Sequence, residues 1–187
     1  MPVDSSGKKK TYSYLLLSLV CLSAMLPSCS EKKQKQNDII IADKYVPKKP
    51  QEPIRLQPLS FQQELQWGGS SYVVKIERQP NDSLPLVKGA QGQEYVDNNV
   101  LLTVTRSDGS QFFSHLFTKQ SFDACLDNTF RHQGILDGMA YDTIASGNLR
   151  FGVNVAFPET DDMYMPIVLT LDRQGRYSIA RDDSTEF

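Results

Sequence analysis

Val100-Leu-Leu-Thr-Val-Thr-Arg106, then Ser107-Asp108-Gly109-Ser110, then Gln111-Phe-Phe-Ser-His-Leu-Phe117 is the stretch that decides the fold. Apolar and polar residues alternate on both sides of an Asp-Gly pair, the pattern of two antiparallel strands each burying one face. Asp108-Gly109 suits a two-residue type I′ turn, whose two central positions take positive φ. In that register Val104 faces Phe113, Leu102 faces His115 and Val100 faces Phe117, which puts the imidazole on an otherwise apolar face. A three-residue loop turns His115 the other way.

The same signals recur on either side. Phe61 to Trp67 and Tyr72 to Arg78 flank Gly68-Gly69-Ser70, and Met165 to Leu171 and Arg176 to Arg181 flank Gln174-Gly175. Leu149 to Phe157 supplies a further strand. One helix is expected from Lys119 to His132, with Thr118 as cap, Phe122, Cys125, Leu126 and Phe130 at helical spacing, and Gly134 as a left-handed end. The fold class implied is mainly β: an antiparallel sheet or open sandwich of about seven strands with one packed helix.

Before Phe61 the chain reads differently. Lys8-Lys9-Lys10 precedes a short apolar run, Tyr14 to Leu26, which is too short to cross a bilayer comfortably and reads as an export signal over residues 1–28. Leu26-Pro27-Ser28-Cys29 follows: a branched apolar residue, a small residue before the cysteine, and a thiol that can form a thioether to diacylglycerol. These residues resemble the lipobox of bacterial lipoproteins, which implies cleavage before Cys29 and lipid on it. Residues 29–60 are rich in Lys, Gln and Pro, with Pro47, Pro50, Pro53 and Pro58 too close together for a helix or central strand, and read as a tether. Within it Ile39-Ile40-Ile41 is a candidate edge strand. A single globular domain is expected over residues 61–187.

Charge narrows the function classes. The whole chain carries −2. Residues 1–28 hold +2 and residues 29–60 hold +3, so residues 61–187 carry −7. Nucleic-acid binding needs clustered Lys and Arg on the domain itself, and is set aside. With Cys21 in the signal and Cys29 acylated, Cys125 is the one thiol left, so no intramolecular disulfide is expected.

No motif assembles chemistry. Cys125 lies in the apolar helical stripe and His132 sits about 10 Å along the axis, at roughly 1.5 Å per residue, so the pair reads as structural. Carboxylates at Glu159, Asp161 and Asp162, and at Asp182, Asp183 and Glu186, lack the spacing of a calcium loop. Two separated histidines give no zinc site, and no cofactor is expected. Trp67 beside Gly68-Gly69, with Tyr72 and Tyr95, is a candidate platform for sugar or peptide; packing at a strand end is the other reading of Trp67.

Asn81-Asp-Ser-Leu-Pro-Leu-Val-Lys88, Tyr95-Val-Asp-Asn-Asn-Val100, Arg106-Ser-Asp-Gly-Ser-Gln-Phe-Phe113 and Phe117-Thr-Lys-Gln-Ser-Phe122 together resemble an uncharacterised lipoprotein family of gut and oral Bacteroidota. The resemblance implies a diderm envelope with the lipid in the outer membrane, and brings no activity or catalytic residues. Surface lipoproteins of that group carry acids soon after the cysteine, whereas Ser30-Glu-Lys-Lys-Gln-Lys35 is mostly basic, which favours the periplasmic face over the cell surface. The function expected is a non-enzymatic envelope module that binds another protein or a glycan. A hydrolase using Asp161, Asp162 and His115, and a structural or inhibitory lipoprotein, are the alternatives.

Overall fold

A computed structural model describes residues 51–89, 91–160 and 162–183. Cys29 and the Ile39–Ile41 triplet lie outside them. Ten strands occur among the described residues: β1 (Leu59–Trp67), β2 (Ser70–Pro80), β3 (Val87–Lys88), β4 (Glu94–Tyr95), β5 (Asn98–Arg106), β6 (Gln111–Thr118), β7 (Ile135–Ala145), β8 (Asn148–Ala156), β9 (Tyr164–Leu171) and β10 (Tyr177–Arg181). One antiparallel sheet runs β1-β2-β5-β6 and a second runs β10-β9-β8-β7, while β3 and β4 pair by themselves. The inward residues of the two large sheets form one continuous core, so the fold is a mainly β sandwich.

Alternation explains which face is buried. Val74, Ile76, Val100, Leu102, Val104, Phe113 and Phe117 of the first sheet meet Leu149, Phe151, Val153, Val155, Ile167, Leu169 and Leu171 of the second. Most of these are at most 3% exposed, and each fully buried Leu, Ile, Val or Phe contributes about 1.5–3 kcal/mol. Cys125, the one cysteine among the described residues, is free, so that burial carries the stability of the sandwich.

The decisive hairpin reaches its expected register by an unexpected route. Leu102 does pair with His115 and Val104 with Phe113, but the pairing of Thr105 with Gln111 is shifted by one. Gly109 alone in the turn is left-handed (φ 83°), and Arg106 N–H donates to Ser110 O at 2.8 Å. The loop is therefore three residues long with glycine last, and Phe112 is a bulge that restores the parity the longer loop would have reversed. Asp108 holds this turn by accepting from Ser110 N–H at 2.9 Å, and the Ser110 side chain first and that N–H second keep its carboxyl below the usual carboxylate range.

Strand β7 was not expected, and its two bulges explain why. Asp137 and Asp142 each fall between paired positions, so the apolar residues come at Leu136, Met139, Tyr141 and Ile144 instead of every second residue. Each extra residue meets an arginine. Arg78 donates to the carbonyl of Asp137 and lies 3.4 Å from its carboxylate, and Arg150 lies 2.8 Å from Asp142.

The single helix expected over Lys119–His132 is broken in two. A 3-10 helix spans Lys119–Cys125 and α1 spans Asn128–Gln133. Between them Leu126 is extended, and Asp127 accepts from Phe130 N–H at 2.9 Å, starting a new helix where the old one would have continued. The break lets Phe122, Cys125 and Leu126 enter the core while Phe130 stacks on Phe157 at 4.5 Å. Gly134 is not a left-handed cap, since its φ is −83°. It is glycine for lack of space: a Cβ there would sit 2.7 Å from Phe130 O and 2.8 Å from Val155 Cγ1.

The proline-rich stretch is fastened before β1 begins. Ile54 forms a parallel bridge to Tyr95, donating to Glu94 O at 2.8 Å and accepting from Val96 N–H at 2.9 Å. Arg55 pairs with Asp82 at 2.6 Å, and Gln57 O accepts from Arg78 at 2.8 Å. No helix among the described residues is long and apolar enough to cross a membrane. Gly134→Ala is expected to lower stability by about 1–3 kcal/mol through overpacking, while Gly138→Ala, whose Cβ meets nothing within 4 Å, should change it by less than about 0.5 kcal/mol. Urea unfolding midpoints of the two variants check this.

Candidate functional site

The base of the sandwich is built around a buried carboxylate. Asp97, in the link between β4 and β5, is 4% exposed, and its Oδ1 accepts from the N–H groups of Asn98 and Leu136, both at 2.8 Å. Oδ2 lies 3.3 Å from Nζ of Lys119, the first residue of the 3-10 helix. Lys119 also donates to Gly134 O at 2.5 Å. Asn98, fully buried beside it, donates to Leu136 O at 2.9 Å. Three separate segments, those leading into β5, β7 and the 3-10 helix, thus meet at one charge.

A cleft of about 370 Å³ opens over this pair. Leu84, Pro85, Leu86 and Val87 give it an apolar wall, and the rest of its lining is polar, with Lys119, Gln120, Asp123, Arg131 and His132. Arg131 and His132 occupy the last turn of α1 and are exposed. Arg131 is held in place because its Nε and Nη2 donate to Asp123 O at 3.2 and 2.9 Å. The chain joins the domain at this same base, since Val96 and Asp82 hold Ile54 and Arg55.

Of the residues expected to act as an aromatic platform, Trp67 and Tyr72 are brought together, while Tyr95 packs in a separate cluster. Trp67 and Tyr72 touch edge-on at 5.2 Å, with Phe112 completing the group at 5.4 and 5.6 Å and Arg106 lying 5.0 Å over Phe112. Trp67 is 2% exposed, and its Nε1–H donates to Gly147 O at 2.8 Å, so its ring is packed into the core. Tyr95 lies in β4, buried against Val87 and Ile135. Burial, with Glu159 adding, pushes its hydroxyl pKa up.

His115 faces inward as the register requires, yet it is half-buried because β6 is an edge strand. Its ring lies tilted against Phe117 at 4.5 Å, and Nε2 lies 3.3 Å from the Tyr177 hydroxyl. Cys125 is buried, with its carbonyl accepting from Arg181 at 2.6 Å; burial pushes the thiol pKa up and the Arg181 charge opposes it. Of the two acidic runs, Asp161 and Glu186 fall outside the described residues, and Asp182 pairs with Arg150 at 2.8 Å. Among the described residues no group of three metal-ligating side chains converges.

The sequence family described as Domain of unknown function (DUF4738) matches residues 40–179. The chain belongs to this family. A comparison with curated proteins gave no match. The DUF4738 match takes in both sheets as far as Ile179 in β10, the buried Asp97 and the cleft, and it begins ahead of the Ile54 bridge, so the fastened segment belongs to the family's unit. The cleft residues carry little signal in sequence. Asn98 has the parity of Val100, Leu102 and Val104, so a polar residue on the buried face of β5 was the available sign.

In this DUF4738 domain Asp97→Ala is expected to cost about 3–5 kcal/mol, because it leaves the Lys119 ammonium buried beside two orphaned N–H groups. Chemical unfolding of the variant measures it, and a cost below about 1 kcal/mol would show that the ion pair is not what holds the base together. Cys125 should react slowly with a thiol reagent in the native protein and fast in urea. Equal rates in the two states would contradict its burial.

Proposed function

We propose that this chain is a lipid-anchored envelope protein, held by acyl chains on Cys29, whose sandwich is a non-enzymatic binding module that uses the cleft at its base. The observation that carries the binding reading is the cleft itself. A buried ion pair is expensive to desolvate and is a poor source of net stability compared with apolar packing. Placed under an open cleft of ligand-like size, it supplies fixed polarity where the neighbouring wall is apolar.

The anchoring part rests on residue order. Leu26-Pro27-Ser28-Cys29 ends a short apolar run, and a charged, proline-rich segment follows at once. Two or three acyl chains hold a protein stably where one would not. From Cys29 to Gln51 the chain spans at most about 75 Å when fully extended, which allows the domain to work at a distance from the bilayer. The basic residues after Cys29 support the periplasmic face of the outer membrane.

The test is metabolic labelling with palmitate followed by membrane fractionation. Wild-type protein should be labelled and sediment with membranes, while Cys29→Ala should lose both the label and the membrane retention and keep the circular dichroism of a β protein. Equal labelling and equal membrane recovery of the two would refute the anchor.

A further inference from the structure

We infer that the cleft captures the free C-terminal carboxylate of a peptide ending in an aliphatic residue. This deepens the binding reading of the cleft and does not depend on the anchor. The cleft offers more donors than acceptors. Asp97 lines it but is committed, with one oxygen taken by two backbone N–H groups and the other facing Lys119. Lys119 directs protons to Asp97 and to Gly134 O, which leaves the third N–H of its ammonium for an occupant.

Arg131 is fixed by two bonds through Nε and Nη2 to one carbonyl, so Nη1 remains available on a side chain whose direction is already set. Holding the guanidinium in advance lowers the entropy lost when it binds a carboxylate. His132 stands next to it on the rim. Against these donors the cleft sets one further carboxylate, that of Asp123, which opposes an anion.

The other wall selects what the carboxylate is attached to. Leu84, Pro85 and Leu86 line it, and Leu86 is 45% exposed, an apolar surface with no cover. A neutral sugar would leave that wall unused, and a cation would face Lys119 and Arg131. A volume of about 370 Å³, near the lower end of small-ligand sites of roughly 300–1,000 Å³, suits one or two terminal residues and not a long segment. Carboxylate capture at a chain end is a known peptide-recognition mode. On a domain of net charge −7 the attraction is local.

The experiment is fluorescence anisotropy of the full-length chain in detergent with a fluorescein-labelled peptide ending in Leu-Leu-carboxylate, and with the same peptide as its terminal amide. The acid should bind about tenfold more tightly than the amide, the size of one charge-assisted hydrogen bond. Arg131→Gln should remove most of that difference, and Asp123→Asn should tighten binding of the acid. Lys119→Gln orphans Asp97 and threatens the fold, so the exposed Arg131 is the deciding position. Equal binding of acid and amide, no binding of either, or an unchanged preference in Arg131→Gln would overturn the inference. Sodium hexanoate that competes as well as the unlabelled peptide acid would overturn the peptide as source, and failure of hexanoate to compete supports it. Loss of palmitate labelling in cells leaves these outcomes untouched, so the two readings fail separately.

Discussion

The carboxylate of Asp97 accepts the N–H groups of Asn98 and Leu136 and faces the ammonium of Lys119. Asn98 begins β5 in the first sheet, Leu136 belongs to β7 in the second, and Lys119 starts the 3-10 helix that follows β6. One buried charge therefore sets the distance between the two sheets at their base and fixes where the helical segment lies across it. Taking that charge out of water is tolerable only because every partner is in place at once. The core alone does not require this arrangement, since apolar contacts are non-directional. The ion pair supplies direction.

Arginine performs a second kind of fastening. Arg78 reaches from β2 to the bulge residue Asp137 in the opposite sheet and also holds Gln57 O, so the stretch before β1 and the first bulge of β7 share one side chain. Arg150 takes Asp142, the second bulge residue, together with Asp182 beyond β10. A bulge leaves backbone groups outside the ladder and bends the strand. In β7 each such interruption carries an aspartate that meets an arginine, Arg78 from the facing sheet and Arg150 from the adjacent strand.

The hairpins were legible because strand alternation and Gly-containing turns are local, and Leu102 facing His115 followed from them. The loop beside that pair was misread, since the sequence of Ser107-Asp108-Gly109 does not announce the compensating bulge at Phe112. Strand β7 was missed for the same reason: two inserted aspartates spread its apolar residues to spacings of two and three, which is no strand pattern. Phe122 to Phe130 form one helical stripe in the sequence, yet Asp127 caps a second helix in the middle of it. The cleft was least legible of all. Asp97, Lys119, Arg131 and Leu86 come from four separate segments, and their meeting depends on sheet packing that no short window of sequence contains.

The fastened segment ahead of β1 also has a mechanical meaning. Tension arriving at Gln51 meets the bonds of Ile54, the Arg55–Asp82 pair and the Gln57–Arg78 bond before it reaches any strand of the sandwich. Leu56 packs against the small cluster of Val87, Tyr95 and Ile135, apart from the main core, so these attachments can give way without opening that core. Their release would free a stretch whose fully extended reach is about 25 Å at 3.3–3.6 Å per residue. Only then would the load fall on Leu59, at the open end of the β1–β2 hairpin, where the ladder is peeled pair by pair and not sheared as a whole. Pulled from its N-terminal side, such a segment would yield before a domain that keeps its shape.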